Sequence, residues 1–391
     1  AEVVLIDRQN YFIFYPLLIE AGSGSLEPRH AVVSIRAFVK RTRFVMGSVE
    51  SIDTEQRALE VMLPDGESRQ RLLYDHLVLA PGSVTRLPEV PGLREHGFEM
   101  KSLSDAVTLR DRSIRMLEQA DCIDDPEIRR RLLHFVIVGA NFTGVELAGE
   151  LQVFLSRAVK QYGRVDRNDI TVSLVELADR ILPALDDDLS AYAAKNLRRR
   201  GMQVELKTSV SRIDEHSVVL SDGREVGTET VIWCAGIAPN PLIATAGLPA
   251  DDQGYVLCER DLRVQGFEAV WAIGDSAVNI DANGNPYPAT AQHATRQGQH
   301  LAKNLVRVLR GHEALACDLQ NLGSIAALGC RTGVAKLFGI KLSGFPAWFL
   351  FRTVYLLKMP GLARKVRVAL DWTIDLVFSK DTVQLGLSRT R

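Results

Sequence analysis

The sequence predicts an α/β protein made of two Rossmann-like dinucleotide-binding domains, each with an inserted β-hairpin, followed by an amphipathic helical C-terminal region. Three observations predict this fold class. One order of strands and turns occurs twice, a glycine-rich turn stands between a strand and a helix, and the chain ends in an aromatic and basic segment. At 391 residues, the chain is also too long for one ordinary domain.

The two copies share a strand that ends in an acid, an Asp-Gly hairpin and a strand that ends in glycine. An Asp-Gly pair between alternating apolar residues is a strong hairpin signal. The segments of the first copy are "VVLID" ending at Asp7, the hairpin at Asp65-Gly66 and "DHLVLAPG" ending at Gly82, and those of the second are "TVSLVE" ending at Glu176, the hairpin at Asp222-Gly223 and "ETVIWCAG" ending at Gly236. The repetition indicates two dinucleotide-binding units.

The second copy carries a phosphate-binding turn in "VIVGANFTGVELAGEL", residues 136–151. Gly139 allows the tight turn, Gly144 allows the helix to pack closely on the strand, and the helix N-terminus offers free N–H groups to a phosphate. Glu176 ends the next strand, 37 residues after Gly139. Its carboxylate is expected to accept the ribose hydroxyls, which favours NADH over a 2′-phosphorylated nucleotide.

Asn141 stands where the usual G-x-G-x-x-G motif has its middle glycine. Asparagine is expected to be tolerated there because it adopts left-handed backbone conformations more readily than most residues. Its side chain is nevertheless expected to crowd the phosphate. The alternative explanation is a tight strand-to-helix turn that binds nothing.

The first copy lacks a corresponding glycine-rich turn ahead of its acidic strand. The internal symmetry predicts that roughly 30–35 residues, including that turn, precede Ala1 in a longer protein.

Two acids have the position of cofactor ligands. Asp7 ends the first strand and would bind an adenosine ribose, although a solvated acid is the alternative. Gly274-Asp275 ends the buried-type strand "FEAVWAIGDSA", where a carboxylate can bind the polyol of a flavin or cap a helix. A helix is predicted from near Ala289, and its positive N-terminus would stabilise an anionic flavin ring.

Composition excludes several classes of protein. The net charge of −1 gives no sign of nucleic-acid binding. The five cysteines form no C-x-x-C pair, which argues against a local redox dithiol and a secreted disulfide framework. No run of about 18 apolar residues is present, so a spanning helix is not expected. No metal-binding cluster is predicted.

The charge is uneven, because residues 336–391 hold ten Lys or Arg and three Asp or Glu, a net +7 that leaves −8 for the rest. The segment "FPAWFLFRTVYLL", residues 345–357, is too short to span a bilayer and is interrupted by Arg352. Aromatic residues beside cations suit an interfacial helix on anionic lipid. The alternative is a terminal helix that covers the core or forms a dimer contact.

These parts, in this order, resemble the two-dinucleotide-fold flavoproteins, and more closely the type II NADH:quinone oxidoreductases, which do not pump protons. The segments that carry the resemblance span nearly the whole chain: "LIDRQNYFIFYPLL" (5–18), "YDHLVLAPGS" (74–83), "TGVELAGEL" (143–151), "VELADRILP" (175–183), "VIWCAGIAPNPL" (231–242), "AIGDSA" (272–277), "AQHATRQG" (291–298) and "LSGFPAWFLFRTVYL" (342–356).

The resemblance implies non-covalent FAD, NADH as the electron donor and a membrane quinone as the acceptor. It implies an FAD-binding domain over 1–105 and 262–325, an NADH-binding domain over 106–261 and a membrane-associating region over 326–391. The protein would be peripheral, on the cytoplasmic face of the inner (plasma) membrane, and a homodimer is a further expectation. The expected cofactor-binding residues are Asp7, Arg8, Gly82, Gly274, Asp275, Ala291, Gln292, Gly139, Asn141, Phe142, Thr143, Gly144, Glu176 and Gly236.

The resemblance assigns reaction roles to Glu146, Gln292 and Arg296. Glu146 matches a family glutamate near the nicotinamide and is a candidate for proton handling, while Gln292 would lie by the flavin and the quinone. Arg296 replaces a frequent family glutamine, which would favour a more polar acceptor; the alternative is a solvated or ion-paired helix residue.

Two other functions stay open. One is a related flavoprotein with another acceptor, such as a ferredoxin or sulfide-dependent reductase, although the missing cysteine pair argues against disulfide and sulfide chemistry. The other is a membrane-bound sensor or interaction protein that keeps the fold and binds nucleotide poorly.

Overall fold

The structure, a computed structural model, describes residues 1–386. The strands of this part are β1 Val4–Asp7, β2 Tyr11–Ile13, β3 Val32–Ser34, β4 Arg43–Met46, β5 Ser48–Asp53, β6 Ala58–Met62, β7 Arg69–Leu73, β8 Leu77–Leu79, β9 Ser83–Thr85, β10 Gly97–Glu99, β11 His134–Val138, β12 Thr171–Val175, β13 Gln203–Glu205, β14 Val210–Ile213, β15 Ser217–Leu220, β16 Glu225–Gly227, β17 Thr230–Trp233, β18 Ile237–Pro239, β19 Val256–Leu257, β20 Val270–Ala272, β21 Ala277–Val278, β22 Gly323–Ala327, β23 Gly333–Leu337 and β24 Ile340–Gly344. The α-helices are α1 Leu18–Gly22, α2 Ile35–Phe38, α3 Leu93–His96, α4 Leu103–Cys122, α5 Pro126–Leu132, α6 Phe142–Ala158, α7 Asp187–Arg199, α8 Ala291–Leu309, α9 Phe345–Lys358 and α10 Leu362–Val377.

The chain divides into two compact units. Of the described residues, the first comprises 1–10, 39–86 and 237–321, and the second comprises 11–38, 87–236 and 322–386. Residues 387–391, the end of the expected C-terminal region, lie outside the described residues.

A five-stranded parallel sheet organises the second unit, in the order β10-β17-β11-β12-β13. Helix α6 connects β11 to β12, and α7 lies between β12 and β13. The apolar run of β11 is buried on both faces, as a central parallel strand requires. This is the strand order of a Rossmann half, and it confirms the predicted fold class for this unit.

The first unit contains the parallel pairs β1–β4 and β8–β20, with one core formed around Val45, Val61, Leu79 and Val270. The hairpin predicted at Asp65-Gly66 joins β6 to β7. In the second unit, the hairpin predicted at Asp222-Gly223 joins β15 to β16. Both hairpin predictions are therefore confirmed.

The C-terminal part of the second unit begins with the antiparallel sheet β22-β23-β24. Helix α9 packs on this sheet and buries Ala347, Trp348 and Phe351, while Phe345 and Phe349 stay exposed. Helix α10 follows and buries Val368 and Trp372. The expected interfacial stretch 345–357 is thus partly a core helix, because half of its large side chains face the protein.

The compact units differ from the expected domain limits. Segment 11–38 belongs with the second unit because α1 packs against α4 and α6. Segment 237–261 belongs with the first unit, where β18 pairs with β9. The region after 322 shares the core of α6 through Ala326 and Val334, and it forms no separate unit. The units describe packing, and the assignment of a cofactor to each domain remains a prediction.

Candidate cofactor sites and a buried acid cluster

The turn between β11 and α6 is fixed by its two glycines. Gly139 has φ +98°, and a Cβ there would lie 2.8 Å from the Cα of Ala235. A Cβ on Gly144 would lie 1.8 Å from the carbonyl oxygen of Gly139. Both positions therefore require glycine, as the motif predicts.

Asn141 has an extended backbone, with φ −72° and ψ −173°, and it is the N-cap of α6. Its Oδ1 accepts a hydrogen bond from the Gly144 N–H at 3.1 Å, and its Nδ2 donates to the Cys234 carbonyl at 2.8 Å. The expectation of a left-handed conformation is wrong, because the residue serves as a cap and caps have extended backbones. Both polar atoms of its side-chain amide therefore have hydrogen-bond partners within the chain. The next two N–H groups, of Phe142 and Thr143, have no intrahelical acceptor and remain for an anion.

Glu176 directly follows β12 and supports the same turn. Its Oε2 accepts the Ala140 N–H at 2.6 Å, and its Oε1 accepts the Ala178 N–H at 2.8 Å. These bonds fix the direction of a half-buried carboxylate beside the phosphate-binding turn. The remaining lone pairs can accept ribose hydroxyls. Gly236, which follows β17 in this unit, has φ +79°.

A second site lies in the first unit, around the ends of β8 and β20. Gly82 has φ +69° with no atom within 4 Å of a would-be Cβ, so the backbone is open on that side. Its carbonyl accepts the Ser276 hydroxyl. The Asp275 carboxylate accepts the Ser83 hydroxyl at 3.0 Å. Asp275 belongs to a short 3-10 turn, and the alternative role of a helix cap is not what its contacts show.

The N-terminus of α8 completes this site. Thr290 is the N-cap, and its Oγ1 accepts the His293 N–H at 3.4 Å. Gln297 is buried, and its Oε1 accepts the Gly274 N–H at 2.8 Å. A small cleft is lined by Gly274, Asp275, Tyr287, Thr290, His293 and Gln297. Burial lowers the pKa of His293, and the nearby Arg296 lowers it further.

The other residues expected here are near the surface. Asp7, at the end of β1, is half-buried and accepts the Gln9 N–H at 2.8 Å, while Arg8 is exposed. Ala291 is exposed in the first turn of α8. Gln292 donates to the Asn321 side chain at 3.4 Å. Arg296 donates to the Gln320 carbonyl, a contact that neither expected role named.

Glu146 lies in the interior of the second unit and accepts the Ala327 N–H at 3.3 Å. Burial raises its pKa well above the ordinary value, and the neighbouring carboxylates of Glu20 and Glu150 raise it further. Burial and Glu146 also raise the pKa of Tyr355. A buried carboxyl group of raised pKa can hold a proton near neutral pH.

Comparison with known proteins identifies the family. The sequence model described as "pyridine nucleotide-disulphide oxidoreductase" matches residues 1–298. The chain belongs to this oxidoreductase family. Within it, the chain groups with the type II NADH:quinone oxidoreductases, as the sequence motifs predict.

Two relatives are similar to this chain in sequence, and one solved structure is similar to it in fold. The demethylphylloquinone reductase NdbB of Synechocystis is 31% identical over 95% of this chain and 88% of its own length. The type II NADH:quinone oxidoreductase of Staphylococcus aureus is 28% identical over 90% of this chain and 87% of its own length. The structure of NDH2 from Plasmodium falciparum in complex with NADH has a TM-score of 0.90 at 19% identity, covering 98% of this chain and 95% of that chain.

The residues of the first unit fit the FAD that members of this oxidoreductase family use. The open backbone at Gly82, the fixed carboxylate of Asp275 and the free N-terminal N–H groups of α8 provide a surface for a ribitol and a flavin ring. Any side chain at Gly82 would occupy this open surface.

Several site residues were not expected from the sequence. Gln297, Ser83 and Ser276 contact the backbone and carboxylate of this site, and although each lies in a segment that carries the resemblance, no role was predicted for them. Around Glu146, the additional polar residues are Glu20, Ser25, Glu150, Arg352, Trp372 and Lys380. The available signal was a single acid, Glu20, within the apolar run "PLLIEAG".

Proposed function

We propose that this protein binds FAD in its first unit and NADH in its second, oxidises NADH and passes both electrons to a quinone. The observation that carries the proposal is the turn between β11 and α6, with two obligatory glycines and an oriented Glu176 beside it. The bound flavin supplies the hydride-accepting and electron-transferring chemistry. The chain itself supplies binding, orientation and a buried acid.

NADH specificity is assigned to Glu176. Its carboxylate, fixed by two backbone N–H groups, is positioned to accept ribose hydroxyls and would repel a 2′-phosphate. Glu176→Gln keeps one oxygen acceptor and removes the charge. We expect it to improve the ratio of NADPH to NADH oxidation, with no gain for Glu205→Gln, a carboxylate that already pairs with Arg224. A ratio unchanged by Glu176→Gln would contradict the assignment.

A quinone is favoured over the alternative acceptors. The Synechocystis and Staphylococcus relatives are named for quinone reduction. The cysteines of the described residues are all free, and Cys234, Cys258 and Cys317 are buried. Burial raises the pKa of Cys234 and Cys258 to about 12, which makes poor thiolate nucleophiles for disulfide or sulfide chemistry.

The test is anaerobic stopped-flow mixing of the flavin-loaded protein with NADH, followed by a water-soluble quinone. Bleaching of the flavin by NADH separates an enzyme from a sensor protein. Reoxidation by quinone and not by ferredoxin or a persulfide identifies the acceptor. Bleaching without reoxidation by any quinone would refute the quinone assignment and retain the NADH-oxidising one.

We further propose that α10 holds the protein on a membrane surface. Five apolar side chains recur at intervals of three or four residues on its exposed side: Leu362 (77% exposed), Val366, Leu370, Ile374 and Val377. Lys358 and Arg367 lie near this row and are exposed. An apolar row beside cations suits the headgroup region of anionic lipid. Among the described residues, no helix has the length and apolar content required to cross a membrane.

Vesicle flotation tests the membrane proposal. We expect Leu370→Glu with Ile374→Glu to abolish binding to vesicles that contain anionic lipid. Val306→Glu on α8, 48% exposed in the first unit, is the matched control and should bind as the wild type does. Equal binding by both variants would refute the role of α10.

Location on the cytoplasmic face of the inner (plasma) membrane and the homodimer belong to the same proposal. Protease accessibility in oriented membrane vesicles tests the first, and sedimentation equilibrium of the purified protein tests the second.

A further inference from the structure

Three carboxylates share the interior of the second unit. Glu20 comes from α1, and Glu146 and Glu150 come from α6. All three are less than 10% exposed, with Glu20 at 4%. Charged groups at such depth persist only when they are paired, hydrogen-bonded or neutralised by a proton.

Glu20 is held by both C-terminal helices. The indole N–H of Trp372 from α10 donates to one carboxylate oxygen. The guanidinium of Arg352 from α9 lies 3.8 Å from the other oxygen. Arg352 is itself fixed between two rings, at 4.6 Å from both the Trp348 and the Trp372 ring.

The other charged groups around this cluster already have partners. Ser25 donates to Glu150 at 3.3 Å and accepts from the Lys380 amine at 2.7 Å. Lys380 pairs with Asp375, which is partly exposed. On the remaining sides, Arg110 of α4 is close to Asp111 and Asp381, and His30 pairs with Asp371 at 2.5 Å.

Among the described residues, Arg352 is the cation that pairs with Glu20, and Lys380 is shared with Asp375. Arg200 lies near Glu150 and donates to the carbonyls of Gly149 and Leu328. Burial raises the pKa of Glu20 to about 7, and Glu150 adds to that rise, while Arg352, the Trp372 hydrogen bond and Lys380 oppose it. A carboxyl group in these surroundings exchanges its proton near neutral pH.

Oxidation of NADH by a quinone consumes one further proton. The balance is NADH + quinone + H⁺ → NAD⁺ + quinol, and the additional proton must come from the surroundings. We propose that Glu20 is the positioning residue that holds this proton for the buried Glu146. This role of Glu20 rests on the function proposed above. Glu146 gives its own proton to the reduced quinone, and a new O–H bond then forms on the Glu146 carboxylate as the O–H bond of the Glu20 carboxyl breaks. Arg352 and Trp372 stabilise the resulting Glu20 carboxylate, and a proton from water returns to Glu20 through the side chains of Asp375, Lys380, Ser25 and Glu150.

Infrared titration tests this role without any turnover. The full-length protein is titrated from pH 5 to pH 9, and the C=O stretch of its protonated carboxyl groups is followed. We expect one band to disappear near pH 7 in the wild type and to be absent from Glu20→Gln. Glu67→Gln, on an exposed hairpin, is the control and should leave the band unchanged.

Two further variants are expected to shift the pH at which this band titrates, in opposite directions. Trp372→Phe keeps a ring over Arg352 and removes the hydrogen bond that stabilises the Glu20 carboxylate, so the band should titrate at higher pH. Glu150→Gln removes a repelling charge, so the band should titrate at lower pH. Each shift is expected to be about one pH unit. Shifts of one sign in both variants, or none, would overturn the proposal.

The kinetic test separates this proposal from the function on which it rests. Quinone reduction by the wild type should slow as pH rises through 7, and Glu20→Gln should be about 10-fold slower at pH 6 and lack this dependence. Reduction of the flavin by NADH should be the same in both proteins. A Glu20→Gln variant with the wild-type pH profile refutes the role of Glu20 alone, whereas a wild type that never reduces quinone refutes the proposed function.

Discussion

The cap formed by Asn141 gives a prediction in which stability and nucleotide binding respond differently. Its side chain accepts the Gly144 N–H and donates to the Cys234 carbonyl. Because both polar ends of its amide are used within the chain, we expect the residue to stabilise the turn without obstructing the phosphate. Asn141→Ala removes both hydrogen bonds, and Asn141→Gly restores the usual motif while losing them as well.

The magnitudes follow from the two bonds. Replacing an Asn N-cap with alanine lowers the free energy of unfolding by about 1 kcal/mol, and replacing it with glycine lowers it by only about a few tenths of a kcal/mol. Cys234 is buried, so a carbonyl left without its donor costs a further ~1–2 kcal/mol. Asn141→Ala should therefore lower the free energy of unfolding by about 2–3 kcal/mol, and Asn141→Gly by about 1–2 kcal/mol.

Urea titration of the transition that unfolds the second unit measures these changes, provided that the slope with urea is unchanged. The KM for NADH should stay within a few-fold of the wild-type value in Asn141→Gly. Asn141→Asp is the control that tests whether a phosphate binds at this turn. Its carboxylate would lie at the helix N-terminus and repel the phosphate, so this variant should have a higher KM for NADH. A gain in NADH affinity of about tenfold in Asn141→Gly would show that the asparagine crowds the nucleotide and would refute this reasoning.

Three more outcomes follow. Gly144→Ala places a methyl group 1.8 Å from the Gly139 carbonyl oxygen, so α6 must move, and flavin reduction by NADH should fall far more than quinone reduction by a pre-reduced protein. Arg200→Met removes donors to the Gly149 and Leu328 carbonyls and should cost about 2 kcal/mol in urea titrations, with normal stability disproving that bridge. The folded pKa of Glu20 is raised from 4.5 to about 7, so its contribution to the free energy of unfolding is complete below pH 4.5 and is lost as pH rises through 7. Relative to the wild type, Glu20→Gln should therefore gain up to about 3 kcal/mol of stability between pH 5 and pH 8. Parallel curves of stability against pH for the two proteins would contradict this.

The parts of the molecule that local chemistry dictates could be predicted from the sequence. Gly139 and Gly144 meet backbone atoms at once if a side chain is added, so their spacing in a strand-to-helix segment already implies the turn. The hairpins at Asp65-Gly66 and Asp222-Gly223 are likewise specified by adjacent residues. The backbone conformation of Asn141 was wrongly predicted because the same residue type serves left-handed turns and N-caps, and only the position of Cys234 distinguishes them.

The acid cluster could not be predicted, because long-range packing creates it. The hydrogen bond between Glu20 and Trp372 joins residues 352 positions apart, and that between Ser25 and Lys380 joins residues 355 apart. No periodicity connects such pairs. Packing also explains why Arg352, which interrupts an apolar segment and argued against a spanning helix, is partly a core residue. Its charge faces Glu20, and its guanidinium lies between two indole rings. Helix α10 thus exposes an apolar row on one side and contacts Glu20 through Trp372 on the other. Lipid that orders this helix would therefore also order the Glu20 carboxyl group. We therefore expect anionic vesicles to sharpen the titration of Glu20 in the wild type and to leave it unchanged in Leu370→Glu with Ile374→Glu, a comparison that infrared titration with and without vesicles can make.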